Sequence, residues 1–274
     1  MPARLTLPRL AALLAVLLVV LAALALSSSS APAMSASRPT VVIVHGAFAD
    51  ASGWQGVITR LQRRGYTVIA PANPLRGVAS DASYIRSFLA TIDGPIILVG
   101  HSYGGMVITN AATGNHNIKA LVYVAAYAPD DGDTIASLEQ LAPGGGIGPA
   151  SLTLRPFPAP DGGQALEGYI RTDAFLGLFA ADLPADTAAA MAASQRPAAL
   201  STLGEPSGPP AWKSIASWYL VAGRDNAIGS AVERIMAQRI GAHTVEVEGA
   251  SHAVMISHPD ATTHLILRAA RSAL

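Results

Sequence analysis

From Thr40 onward, short runs of β-branched and apolar residues alternate with segments whose apolar positions recur three and four residues apart. Thr40 to Val44 (TVVIV), Pro95 to Val99 (PIILV), Ile118 to Ala126 and Ser217 to Ala222 carry apolar residues at successive positions, as strands buried on both faces do. Thr67 to Ala70, stopped by Pro71, and Thr244 to Val247 predict two more strands. Between them lie helical patterns. Trp54, Val57, Ile58 and Leu61 follow Ser52 and end at Gly65; Tyr84, Ile85, Phe88 and Leu89 follow Asp81, a predicted N-cap. A third helix runs from Ser102 to about Thr113, and two more cover Ser230 to Ile240 and Pro259 to Ala273. Strand and helix in alternation predict an α/β fold, a mostly parallel central sheet with helices on both faces.

Two regions depart from this rhythm. Residues 129–212 show no clear strand; they hold Gly/Pro-rich pieces and helical patterns near Gln164 to Ile170, Asp173 to Phe179 and Ala185 to Gln195. A stretch this long exceeds an ordinary crossover, so an inserted helical cap is expected. Residues 1–36 read as a leader. Leu10 to Leu26 is an unbroken Ala/Leu/Val run after Arg4 and Arg9, followed by Ser27 to Ser30 and Ala31-Pro32-Ala33, the pattern of an export signal cleaved after Ala33. The rival is an uncleaved anchor, since the run reaches the lower limit of about 17 residues for a membrane span. Either way an exported protein is expected, periplasmic, extracellular or tethered. Residues 37–274 would form the folded domain.

Composition narrows the chemistry. With 18 Lys+Arg and 18 Asp+Glu the chain has no net charge, so it lacks the field that gathers nucleic acid. The absence of Cys removes disulfides, thiolate metal sites and Cys nucleophiles. No metal-binding pattern is present: the acidic cluster Asp130, Asp131 and Asp133 lacks the spacing and distal Glu of a calcium loop.

Gly100-His101-Ser102-Tyr103-Gly104 is a G-x-S-x-G sequence between a predicted strand and a predicted helix, the setting of a nucleophile elbow. Such a turn strains the Ser and brings Gly100 and Gly104 close, where a Cβ would clash. A Ser nucleophile needs a base. Of the seven histidines, His252 follows the last strand, at the carboxyl edge that the elbow shares. His45 and His101 adjoin strand ends and glycines and suit structural roles, while His116, His243, His258 and His264 suit the surface. Asp225, after the penultimate strand, gives the order Ser…Asp…His; Asp130, Asp131 and Asp133 are the competing acids, in a good turn sequence. The oxyanion donors would be the N–H groups of Tyr103 and of Ala47 in His45-Gly46-Ala47-Phe48. Phe48, Phe175, Phe179 and Trp212 are candidate pocket residues, with ordinary cap packing as the alternative for the last three.

These motifs resemble those of the α/β-hydrolase superfamily, and within it the small esterases similar to plant methyl esterases and hydroxynitrile lyases. HGAF, GHSYGG, GRDNAI and GASHAVMISHP carry the resemblance over nearly all of Arg38 to Leu274. One position departs: plant hydroxynitrile lyases have a Lys directly after the His, and this chain has Ala253, which argues against lyase activity. The expectation is a cofactor-free serine carboxylesterase acting on a small-molecule ester through Ser102, His252 and Asp225. The alternatives are perhydrolysis or C–C lysis on the same residues, or a non-catalytic ligand-binding protein on the same fold.

Overall fold

A computed structural model of the chain describes residues 38–159 and 162–273, so the leader and its cleavage site lie outside the described residues. Six strands form a parallel sheet in the order β2-β1-β3-β4-β8-β9: β1 (Thr40–Val44), β2 (Val68–Ile69), β3 (Ile96–Ser102), β4 (Ile118–Ala126), β8 (Ser217–Ala222) and β9 (His243–Val247). The period of two along each strand splits the core into two layers. Val41, Ile43, Ile97, Val99, Val122 and Leu220 face one layer, which is closed by α1 (Gln55–Gln62) and α10 (Pro259–Ser272). Val42, Val44, Leu98, Leu121, Tyr123 and Val221 face the other. That side is covered by α2 (Val78–Leu89), α3 (Tyr103–Ala111) and α8 (Ser230–Arg239).

Asp81 does not cap α2. The helix begins one turn earlier, and the Asp81 carboxylate is fully buried, accepting from Arg76 N–H and from Tyr103 Oη–H at 2.8 Å. The helix start is instead capped from far along the chain: Glu205 accepts from Val78 N–H at 2.7 Å and from Ala79 N–H at 2.9 Å. A carboxylate there satisfies two orphan donors and complements the helix dipole.

Between β4 and β8 the chain adds α4 (Ile135–Leu138), β5 (Leu152–Pro158), β6 (Gln164–Ile170), α5 (Thr172–Phe179), α6 (Ala185–Ser194), β7 (Ala198–Ala199) and α7 (Ser201–Gly204). The insertion is thus not helical throughout. β5, β6 and β7 form a three-stranded antiparallel sheet, and Gln164 to Ile170, which reads as helical in sequence, is its central strand. Pro156 and Pro158 disguise β5; they are tolerated because β5 is an edge strand, where a missing N–H costs no ladder bond. Backbone bonds tie the insertion to the sheet domain: Phe48 N–H to Arg196 O, Ala199 N–H to Leu75 O, Ala253 N–H to Phe179 O and Gly146 N–H to Asn226 O. The remaining helix, α9 (Val254–Ser257), follows His252.

Candidate active site

The turn from β3 into α3 holds Ser102 at φ 53° and ψ −126°, a region that L-residues seldom occupy. Glycine makes the turn possible. A Cβ on Gly104 would lie 2.4 Å from Val44 O, and one on Gly105 only 2.0 Å from Tyr127 O, so β1 and β4 press directly on the start of α3. A Cβ on Gly100 would lie 2.7 Å from Gly104 O, the close approach anticipated from the sequence.

His252 and Asp225 meet at the neighbouring strand ends. His252 Nδ1–H donates to Asp225 Oδ2 at 2.6 Å, with both side chains fully buried. Asp225 Oδ1 accepts from the N–H groups of Ala227 at 2.6 Å and Ile228 at 2.9 Å. Burial alone would raise the Asp225 carboxyl, but the opposed His252 and these hydrogen bonds hold it well below the usual carboxylate range. His252 Nε2 is buried without a hydrogen-bond partner among the described residues, and it is not bonded to Ser102 Oγ. Asp130 and Asp133 are engaged elsewhere, with Lys213 at 2.5 Å and Arg239 at 2.8 Å.

His101 fixes the other side of His252. Its Nε2–H donates to His252 O at 3.0 Å, and the two rings lie 4.6 Å apart. Burial pushes His101 down to about 3, and the neighbouring His252 adds to the shift, so His101 is a neutral brace. His45 braces the adjoining loop: Nδ1–H donates to Gly46 O, and Nε2 accepts from Asn73 N–H.

Glu233 on α8 escapes a reading of the sequence. It is fully buried, and Oε2 accepts from Ala222 N–H at 3.1 Å. As a carboxylate it would leave Oε1 unpartnered opposite another anion. Burial and the neighbouring Asp225 together raise its carboxyl well above the usual range, which favours the protonated form beside Asp225. Its only trace in the sequence is an acid on a helix face otherwise buried through Val232, Met236 and Ala237.

A cavity opens in front of Ser102 and includes Ala47, Phe48 and Tyr103 in its wall. The N–H groups of Ala47 and Tyr103 have no acceptor among the described residues. The rest of the wall is mainly the insertion, including Ile135, Ile147, Leu152, Ala198 and Leu203. Phe175, Phe179 and Trp212 are not part of it. Phe175 stacks on Phe179 at 5.0 Å, and Phe179 meets the His252 ring edge-on at 4.8 Å, so these rings pack beside the imidazole. Trp212 Nε1–H donates to Pro129 O at 2.7 Å, at the junction of insertion and sheet. Tyr127 and Glu139, which the sequence does not single out, do line the cavity.

A model of the alpha/beta hydrolase family matches residues 41–265. The carbendazim hydrolyzing esterase of Nocardioides sp. (strain SG-4G) is 34% identical over 110 residues, which is 35% of this chain and 46% of that protein. The alpha/beta hydrolase nvfD of Aspergillus novofumigatus (strain IBT 16806) is 26% identical over 270 residues, 86% of this chain and 98% of that protein. Among solved structures, polyneuridine aldehyde esterase superposes with a TM-score of 0.72 at 18% identity, covering 85% of this chain and 99% of that chain.

Proposed function

This chain belongs to the alpha/beta hydrolase family, and we propose that it is a serine carboxylesterase of small or medium esters, exported by its N-terminal leader. The observations that carry the catalytic reading are the buried His252–Asp225 pair, whose Nε2 has no partner among the described residues, and a strained Ser102 that lines a mainly apolar cavity. The esterases among the similar proteins support it. Export rests on the sequence pattern alone.

In this reading Ser102 Oγ attacks the ester carbonyl while its proton passes to His252 Nε2. Asp225 holds the imidazole in the Nδ1–H tautomer and stabilises the imidazolium. The N–H groups of Ala47 and Tyr103 receive the oxyanion, each stabilising the transition state by about 3 kcal/mol. The imidazolium then protonates the leaving alcohol. Water, deprotonated by the same imidazole, splits the acyl-enzyme to release the acid and restore Ser102.

A fluorophosphonate probe tests this directly. Peptide mass mapping should place the adduct on Ser102, and hydrolysis of p-nitrophenyl esters of graded chain length should vanish in Ser102→Ala. A folded wild-type chain that takes no label, or a Ser102→Ala variant active to within about tenfold of wild type, would overturn the mechanism.

A further inference from the structure

Among the described residues the cavity wall carries five polar side chains: Ser102, Tyr103, Tyr127, Glu139 and Thr202. Three of these have spent their only donor inside the protein. Tyr103 Oη–H donates to Asp81 at 2.8 Å, Thr202 Oγ1–H to Ala199 O at 2.7 Å, and Tyr127 Oη–H to Glu139 Oε1 at 2.8 Å. Ser102 Oγ–H is the proton that His252 removes in the reading above. Beyond the oxyanion donors, the side chains of the wall therefore offer only acceptors to a bound molecule.

Glu139 is the strongest of these. Its Oε2 has no partner among the described residues, and no Lys, Arg or His shares the wall. Burial raises its carboxyl, and the Tyr127 hydrogen bond opposes that shift. Tyr127 ties it to the nucleophile: its backbone N–H donates to Ser102 O at 3.2 Å while its side-chain hydroxyl holds Glu139, so one tyrosine residue links the Ser102 turn to the acid.

We propose that Glu139 is a specificity-determining residue, and that the cavity takes esters whose apolar body bears a hydrogen-bond donor or a positive charge while turning away esters with a second, ionised carboxylate. A donor reaching Oε2 gains a charge-assisted hydrogen bond in an apolar setting. A substrate carboxylate would meet a like charge with no donor to offset its lost water. The inference rests on the esterase reading for turnover, but not for binding.

The test uses methyl benzoates of matched size with a para ethyl, hydroxymethyl, aminomethyl or carboxymethyl group, together with the ethyl, hydroxymethyl and carboxymethyl members of the corresponding phenyl acetates, so that either end of the ester can occupy the cavity. The readout is the ratio of kcat/KM between members within one protein. In wild type the aminomethyl ester should exceed the carboxymethyl ester by about 30-fold or more, with the hydroxymethyl ester between them. In Glu139→Gln, which keeps an acceptor for Tyr127 and adds a donor, the ratio should fall by about tenfold. A wild-type carboxymethyl ester turned over as well as its ethyl analogue, or a ratio unchanged in Glu139→Gln, would overturn the proposal. Absence of all turnover would count against the esterase reading alone. The same order would then be read from ligand-induced shifts in Tm, and a carboxymethyl ester stabilising the protein as much as the aminomethyl one would overturn the specificity proposal.

Discussion

The buried cluster of Asp225, His252 and Glu233 and the cavity in front of Ser102 differ in what supplies them. Asp225 and His252 hang from loops at the ends of parallel strands, and Glu233 sits on the helix between those strands. All three are buried, and hydrogen bonds to backbone, with the one between His252 and Asp225, fix their carboxyl and ring orientations. The cavity is walled largely by α4, the antiparallel strands and α7 of the insertion, whose outer strand is mostly exposed and whose side chains in that wall are mainly apolar. Rigid placement suits proton transfer, where small displacements cost rate. A mainly apolar wall on a separate layer can vary in shape without disturbing that placement, so in the proposed reading chemistry and selection would be carried by different parts of the chain.

Four changes, the first paired with two control substitutions, test this division in order of expected effect. Asp225→Asn keeps the shape of the buried cluster but favours the wrong imidazole tautomer, and should lower kcat on a p-nitrophenyl ester by about 10⁴-fold. Asp131→Asn and Asp133→Asn, in the turn at the start of the insertion, should leave kcat within about threefold of wild type. A large loss in either, with Asp225→Asn active, would move the orienting acid to the insertion. Phe179→Ala breaks the comparison from the other side, because this insertion residue packs on the His252 ring. The fully buried ring should cost about 3 kcal/mol of stability by urea denaturation. A lowered kcat in the folded variant would show that the insertion also steadies the base.

Glu233→Gln sharpens the comparison through pH. Its folded-state pKa is raised above the unfolded value of 4.5, so between those two values the native chain holds a proton that the unfolded chain has lost. Stability then falls as pH rises through that window, by up to about 1.4 kcal/mol per pH unit. Gln can donate to Asp225 and accept from Ala222 N–H without that penalty. The variant should therefore be more stable than wild type at neutral pH, with the advantage vanishing toward pH 4.5. A constant difference across pH would mean that Glu233 is ionised in the fold. The smallest effect is expected from Glu205→Ala, which removes the cap that the insertion lends to α2. It should cost about 1 kcal/mol, seen as a drop of a few degrees in Tm, with kcat unchanged.

Local physics made the sheet domain legible. A strand buried on both faces must be apolar at successive positions, and a tight strand-to-helix turn must have glycine where other backbone presses in, so TVVIV, PIILV and GHSYGG announce themselves. The order of Ser102, Asp225 and His252 along the chain, each after a strand, reflects the common carboxyl edge of a parallel sheet. The insertion obeys no such local rule. Its edge strand carries prolines, its central strand is composed of residues that also suit a helix, and both owe their state to pairing with each other.

What the sequence by itself determined is the alternation of elements, the two-layered core and the candidate nucleophile, because each follows from periodicity or from sterics within a few residues. Only the tertiary structure decided the partners that lie far apart in the chain. Asp81 reads as a helix cap until Tyr103 is brought to it; Glu205, Glu139 and Glu233, which nothing in the sequence singles out, take their surroundings from the start of α2, from Tyr127 and from Asp225. A buried polar group takes its role from whichever groups must satisfy it after water is excluded, and that choice is made by packing between distant segments.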